Sequence, residues 1–294
     1  MALTLNRPSA PLGVRNAVLW ARGRRHFVKD FPGPLSIKSV TTGTVAWQAG
    51  GRELVVDRDS FLVLNHGEPY SMHIDSRQPV TTLCVFFEPG FVESVCGSLT
   101  QPDQPDLDPA AAPATFLPRL RIADSRILPR MRAIAHAHLA DRLWTDQRFL
   151  ALAGDLAMLQ ADVARRVRLM PARRAATREE LFRRVRRGQE FLHAAAESDI
   201  DLASMAREAC LSPYHFHRTF VQAFGQTPHQ YLTALRLARA RRLLETTRLT
   251  VTEVSGAVGF ESAASFSTLF RRIVGVPPST LRKGQVASQF RKIR

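Results

Sequence analysis

The sequence predicts an α+β chain of several domains: an antiparallel β-barrel in front, a helical connector, and an all-α rear domain of two helix-turn-helix units joined by a long helix. Three observations predict it. Short β-rich runs about ten residues apart fill residues 36–91. From 125 to 169 the texture turns to Ala, Leu and Arg at helical spacing. Behind that lies an internal repeat. A chain of 294 residues with 45% apolar content can bury a real core, which excludes global disorder.

The front domain is expected over residues 1–118. Its strands are read at 36–40, 44–48, 53–56, 61–64, 71–74 and 80–87, with turn residues at Gly50-Gly51, 57–59 and Gly67-Glu68-Pro69 between them. Many short strands at even spacing indicate a barrel or sandwich. Residues 101–118, with five prolines and three consecutive alanines, read as a loop. The connector is expected over 119–170. There Leu128, Met131 and Ile134, then Phe149, Leu152, Leu156 and Leu159, mark two helices that close the β-domain or form a dimer seam. A short basic linker, 171–177, follows.

The rear domain is expected over 175–294. Phe216, Phe220, Gly225 and Pro228 recur 50 residues later as Phe266, Phe270, Gly275 and Pro278. Upstream the offset is 49, taking Met205 to Val254 and Leu211 to Phe260. Each copy reads as a short helix, a turn and a second helix. Helix starts are marked by Asp201, Ser212-Pro213, Thr227-Pro228 with Gln230, Thr250 with Glu253, and Ser262, all cap signatures. Phe216, Phe220 and Phe224 share one helical face, as do Phe266, Phe270 and Val274, and these are expected to be buried. The opposite face presents Tyr214, His215, His217, Arg218 and Gln222 in copy one. In copy two it presents Ser262, Ala264, Ser265, Ser267, Thr268 and Arg271.

Charge supports a polyanionic partner. The net charge is +15, 37 of the 41 basic residues are Arg, and residues 171–294 alone carry +11. Guanidinium groups suit phosphate. Cys84, Cys96 and Cys210 are odd in number and far apart, so neither a disulfide framework nor a cysteine zinc site is expected. With no signal peptide and no long apolar run, a soluble cytoplasmic protein without membrane association is expected. No Ser/His/Asp or G-x-G-x-x-G arrangement stands out.

Ala206, Leu211-Ser212-Pro213, Phe216-x-Arg218-x-Phe220, Gly225-x-Thr227-Pro228, Arg236-Leu237, Ala240, Leu243-Leu244, Val258-Gly259-Phe260, Phe266, Phe270, Gly275 and Pro278 together resemble the AraC family of bacterial transcription regulators, over about residues 180–284. The resemblance implies a DNA-binding domain whose units are joined by a helix over 228–246. Both reading helices then enter successive major-groove faces of double-stranded DNA. By that likeness Ser212, Tyr214, His215, His217, Arg218 and Gln222, and Ser262, Ala264, Ser265, Ser267, Thr268 and Arg271, are the DNA-binding positions. RNA polymerase becomes a partner if the protein is an activator, and a homodimer fits the family. Two departures fall in copy two, where Ser255 stands in place of the family's usual Ala and Gly256 follows it. Copy two is therefore expected to be softer, and because its reading face has no long donor before Arg271, copy one is expected to carry more of the specificity.

The family implies that the front half is a cupin-like sensing domain for a small-molecule effector. Trp47, His66, Tyr70, His73 and Phe86 are its candidate effector residues, although aromatic strand residues serve equally as core. His66, His73 and Glu88 lack metal-ligand spacing, so no metal or other cofactor is called for. The rival reading, a cupin-fold metalloenzyme fused to a DNA-targeting domain, needs a ligand triad that these spacings do not supply. His136 and His138, at i and i+2 on a helix, read as surface. The run 183–187, with four Arg, reads as a phosphate contact or a solvated face.

Overall fold

The computed structural model describes residues 4–5, 10–100, 116, 120–122, 126–135 and 142–281. It divides into two compact units, Met1–Arg165 and Arg166–Arg294.

In the first unit, β1 (Thr4–Leu5), β2 (Ala17–Pro32), β3 (Ser36–Thr42), β4 (Val45–Ala49), β5 (Arg52–Val56), β6 (Ser60–Leu64), β7 (Pro69–Phe86) and β8 (Leu120–Ile122) form a nearly closed antiparallel barrel. The sheet runs β1-β2-β7-β3-β6-β8, and β4 pairs with both β5 and β7. β7 is the spine. Its last residues pair with β2 and β3, and its first residues with β2 and β4.

Alternation along each strand sends neighbouring side chains to opposite faces. Ile37, Phe61, Val63, Leu83, Val85 and Phe87 face outward to α1 (Phe91–Thr100), α2 (Ile127–Ile134) and α3 (Arg142–Arg168), where they meet Val92, Met131, Phe149 and Leu156. Val40, Trp47, Leu62, Leu64, Tyr70, Met72 and Ile74 fill the lumen. Burial of each large side chain stabilises the unit by roughly 1.5–3 kcal/mol.

Three expectations are corrected in this unit. The runs 71–74 and 80–87 are one 18-residue strand, β7. The 16-residue β2 was not expected as a strand, nor α1 as a helix. His136, His138 and most of 101–118 lie outside the described residues.

The second unit contains α4 (Ala175–Ala194), α5 (Leu202–Glu208), α6 (Pro213–Phe224), α7 (Pro228–Thr246), α8 (Val251–Ala257) and α9 (Ala263–Val274). α4 starts inside the expected linker, whose last three residues form its first turn. α7 has the bounds read from the sequence. At 1.5 Å per residue its 19 residues span about 28 Å. It buries Leu237, Ala240 and Leu244 against Val254, Val258, Phe266 and Phe270, tying the second copy to the connecting helix. Among the described residues no helix is long and apolar enough to cross a membrane.

Candidate nucleic-acid interface

Each copy is held by the same local chemistry. The α6 helix opens on Ser212, whose Oγ accepts from the His215 N–H at 3.3 Å, with Pro213 behind it. The α9 helix opens on Ser262, whose Oγ accepts from the Ser265 N–H at 3.4 Å. Both close on a left-handed glycine, Gly225 (φ +70°) and Gly275 (φ +87°), the conformation at which a Cβ is penalised. α7 and α8 start with full capping boxes, Thr227 with Gln230 and Thr250 with Glu253. Asp201 caps α5 through the Ser204 N–H at 2.8 Å, and hydrogen bonding from Ser204 holds its carboxyl below the usual range.

The turns share one hydrogen bond, although that of copy two is one residue longer. Leu211 N–H donates to the Ala206 carbonyl at 2.9 Å, and Phe260 N–H donates to the Ser255 carbonyl at 3.0 Å. Before each donor the backbone is left-handed, at Cys210 (φ +52°) and at Gly259 (φ +84°). Gly259 is required by space as well. A Cβ there would stand 2.9 Å from the Glu197 carbonyl oxygen and 3.0 Å from the Arg236 guanidinium.

Apolar anchors fix the outward faces. Phe216 and Phe220 are fully buried with ring centroids 5.5 Å apart, and Phe266 and Phe270 repeat the arrangement at 5.4 Å. α4 presses so closely on α6 that a Cβ on Gly188 would stand 2.4 Å from the Phe216 ring. What remains outward on α6 is Ser212, Tyr214 (76% exposed), His215, His217 and Arg218. On α9 it is Ala264, Ser265, Thr268 and Arg271, preceded by Ser262. Arg218 and Arg271 have no ion pair among the described residues.

Two expected positions sit differently. Gln222 is half-buried rather than on the exposed face, and its Oε1 is buried without a partner among the described residues. Ser267 is half-buried and its hydroxyl donates to the Ala263 carbonyl at 2.7 Å.

Much of the positive charge is structural. In α4, Arg183, Arg184 and Arg187 pair with Glu180, whose carboxyl is held low chiefly by the Arg184 hydrogen bond, and Arg186 is buried. That run is an ion-paired helix face. Arg236 donates to the carbonyls of Ala196 and Ser198, both at 2.7 Å, and lies against the Phe260 ring. It braces the loop before α5 and the turn before α9. Sequence reasoning did not single out Arg272, exposed beside Arg271 in the last turn of α9, although the 50-residue offset makes it the counterpart of Gln222.

The five front-domain candidates are not brought together. Trp47, Tyr70 and Phe86 are buried, but His66 and His73 are exposed, and His73 meets Phe27 outside the lumen. The polar group that does stand with the aromatics is Lys38, which is 1% exposed. Its Nζ donates to Tyr70 Oη at 3.0 Å and lies 3.7 Å over the Phe86 ring. Burial lowers its pKa to about 8, and burial likewise raises those of Tyr70 and Cys84. Among the described residues no group of three or more His, Cys, Asp or Glu is placed to hold a metal.

A β-barrel unit and a unit of two matching helix-turn-helix copies on one chain define the class: a barrel module with a tandem helix-turn-helix module. The family models agree. An AraC-like ligand binding domain matches residues 24–160, and a helix-turn-helix domain matches residues 205–284. The chain belongs to the AraC family. It is similar to the arabinose operon regulatory protein of Escherichia coli, at 36% identity over 89 residues, 30% of each chain. The HTH-type transcriptional activator RhaS of Escherichia fergusonii is 41% identical over 85 residues, 29% of this chain and 31% of the relative. The chain thus spans about a third of the length of the curated relatives it matches. Among solved structures, the DNA-binding domain of AdpA in complex with a target DNA aligns at 31% identity, covering 35% of this chain and 94% of that one, with a TM-score of 0.34. Apo ToxT from Vibrio cholerae covers 90% of this chain and 96% of its own, at 12% identity and a TM-score of 0.36.

Proposed function

We propose that the protein is a sequence-specific, DNA-binding transcription regulator in which α6 and α9 read successive major-groove faces of double-stranded DNA. The observation that carries the reading is the duplication itself: two copies with the same caps, the same turn hydrogen bond and the same buried phenylalanine pair present polar helix faces from one unit. Ser212, Tyr214, His215, His217 and Arg218 supply the contacts from α6, with Gln222 at the edge of that face. Ser262, Ala264, Ser265, Ser267, Thr268 and Arg271 supply those from α9. Arg218 is the base-reading candidate of copy one, because it is exposed and has no ion pair to break. Arg218→Ala should weaken cognate binding by about 1–3 kcal/mol in a gel-shift titration at fixed salt. Equal loss on cognate and random DNA would reduce it to a phosphate contact, and unchanged binding would remove it from the interface.

The barrel unit is the regulatory half in this reading, binding a small-molecule effector in its lumen, supporting a homodimer, or both. The protein acts inside the cell without catalysing a reaction of its own, and RNA polymerase is a partner if it activates.

A further inference from the structure

The two outward faces differ in one chemical respect. At the 50-residue offset that relates the copies, His215 corresponds to Ser265 and His217 to Ser267, so copy one carries titratable side chains where copy two carries hydroxyls. Both histidines are exposed, and neither imidazole makes a hydrogen bond or an ion pair among the described residues. Their directions follow from the helix. At about 100° per residue, Tyr214 and Arg218 fall within about 40° of each other, opposite the buried Phe216 and Phe220, and His215 and His217 lie about 80° to either side of that midline. A helix fills a major groove about 12 Å wide, so side chains on its flanks meet the phosphate ridges rather than the base edges. The charged groups around α6 are held elsewhere. On α4, Arg184 and Arg187 pair with Glu180, and Arg186 and Glu190 are buried. On α7, Arg236 is bound to backbone carbonyls, and Arg239 to Glu197 and the His193 carbonyl. Arg166 donates to the Ala223 carbonyl. Arg207 and Glu208 of α5 and His229 of α7 are exposed, and no ion pair among the described residues joins them to either imidazole. On α6 itself Arg218 is the one permanent charge.

We propose that His215 and His217 grip the two phosphate ridges beside the groove read by α6, and do so as imidazolium ions, so that copy one takes up protons on binding DNA while copy two does not. The inference rests on the DNA-reading assignment above and adds regulation by pH to the same site. A neutral imidazole offers one N–H donor, whereas the protonated ring offers two and a positive charge. Histidine is the side chain whose charge changes between about pH 5 and 8. A phosphate beside it favours the charged form. The added affinity is therefore full at low pH and is lost as the pH rises through the range in which the bound imidazoles deprotonate. Ser265 and Ser267 do not titrate there, and the Ser267 hydroxyl is already engaged with the Ala263 carbonyl. Acidification thus strengthens the hold of one copy alone.

The test measures binding of the full-length protein, by fluorescence anisotropy at fixed salt, to a duplex that it selects from a random-sequence pool at pH 7. From pH 8 to pH 6 wild-type binding should tighten about 5- to 40-fold. A double variant, His215→Gln with His217→Gln, keeps neutral hydrogen-bonding side chains; it should match the wild type within about threefold at pH 8 and lose the tightening. The slope of log affinity against log salt should be steeper at pH 6 than at pH 8 by about 1 to 2 in the wild type and unchanged in the variant. Since phosphates carry no sequence, a random duplex should show the same pH response. Wild-type binding that is equal at pH 8 and pH 6 would overturn the proton linkage and leave the DNA-reading assignment standing. Tightening that persists undiminished in the double variant would overturn the placement on His215 and His217. Failure to bind any selected duplex at either pH would overturn the DNA-reading assignment and this inference with it.

Discussion

Ser255 is the weak point of the second helix-turn-helix copy, and its repair is measurable. Its counterpart in copy one, Ala206, is equally buried at 1% exposure, but Ser255 adds a hydroxyl that finds no hydrogen-bond partner among the described residues. An unsatisfied buried hydroxyl costs about 1–3 kcal/mol, and Ser is about 0.5 kcal/mol poorer than Ala inside a helix. Removing one atom from a packed site returns part of that as lost contact, so Ser255→Ala should stabilise copy two by about 1–2 kcal/mol. Hydrogen exchange reads this locally. The amides of α8 should exchange roughly 5- to 30-fold more slowly, while those of α5 keep their rates. Ala206→Ser should produce the mirror effect in α5. Exposed Gly256, with nothing within 4 Å of an added Cβ, should give a further gain of about 1 kcal/mol on Gly256→Ala. Unchanged or faster exchange in Ser255→Ala would refute the reasoning, because it would mean that the hydroxyl is satisfied.

Two other perturbations follow. Gly188→Ala drives a methyl group to 2.4 Å from the Phe216 ring, so α4 and α6 must separate; a loss of at least about 2 kcal/mol in the stability of the rear unit, with weaker DNA binding, should appear in thermal unfolding and gel shift. Lys38 has a folded pKa near 8 against 10.5 when exposed, so its burial cost is full below pH 8 and fades as the pH rises toward 10.5. Lys38→Met should therefore stabilise the barrel at pH 7 by up to about 3 kcal/mol and by much less at pH 10, and a pH-independent difference between the two proteins in chemical denaturation would contradict this.

The rear unit was legible because its signals are local. Caps at Ser212, Thr227, Thr250 and Ser262, glycine stops at Gly225 and Gly275, and phenylalanines four residues apart each act within one or two turns of helix, and the repeat states them twice. The barrel was legible only in outline. β2 escaped because its sequence carries Arg22, Arg24, Arg25 and Lys29 on a face left largely exposed, so it reads as a basic segment rather than a strand. β7 was divided because residues 75–79 bear the polar texture of a turn while remaining in the strand. Lys38 escaped for the opposite reason: β3 is buried on both faces over Ser36, Ile37, Lys38, Ser39 and Val40, so polarity there no longer reports exposure. His66 and His73 were attractive as chemistry, but both are exposed, and His73 stands one residue out of phase with the lumen-facing Met72 and Ile74.

Footprinting of the full-length protein on its operator tests the central claim most directly. With α7 spanning about 28 Å between the two copies, major-groove protection should fall in two blocks about 34 Å apart on one face of the DNA for each chain bound. Substituting Arg218 should remove protection in one block and Arg271 in the other. A single short block per chain, unaffected by Arg271→Ala, would contradict the claim and leave α9 as a brace.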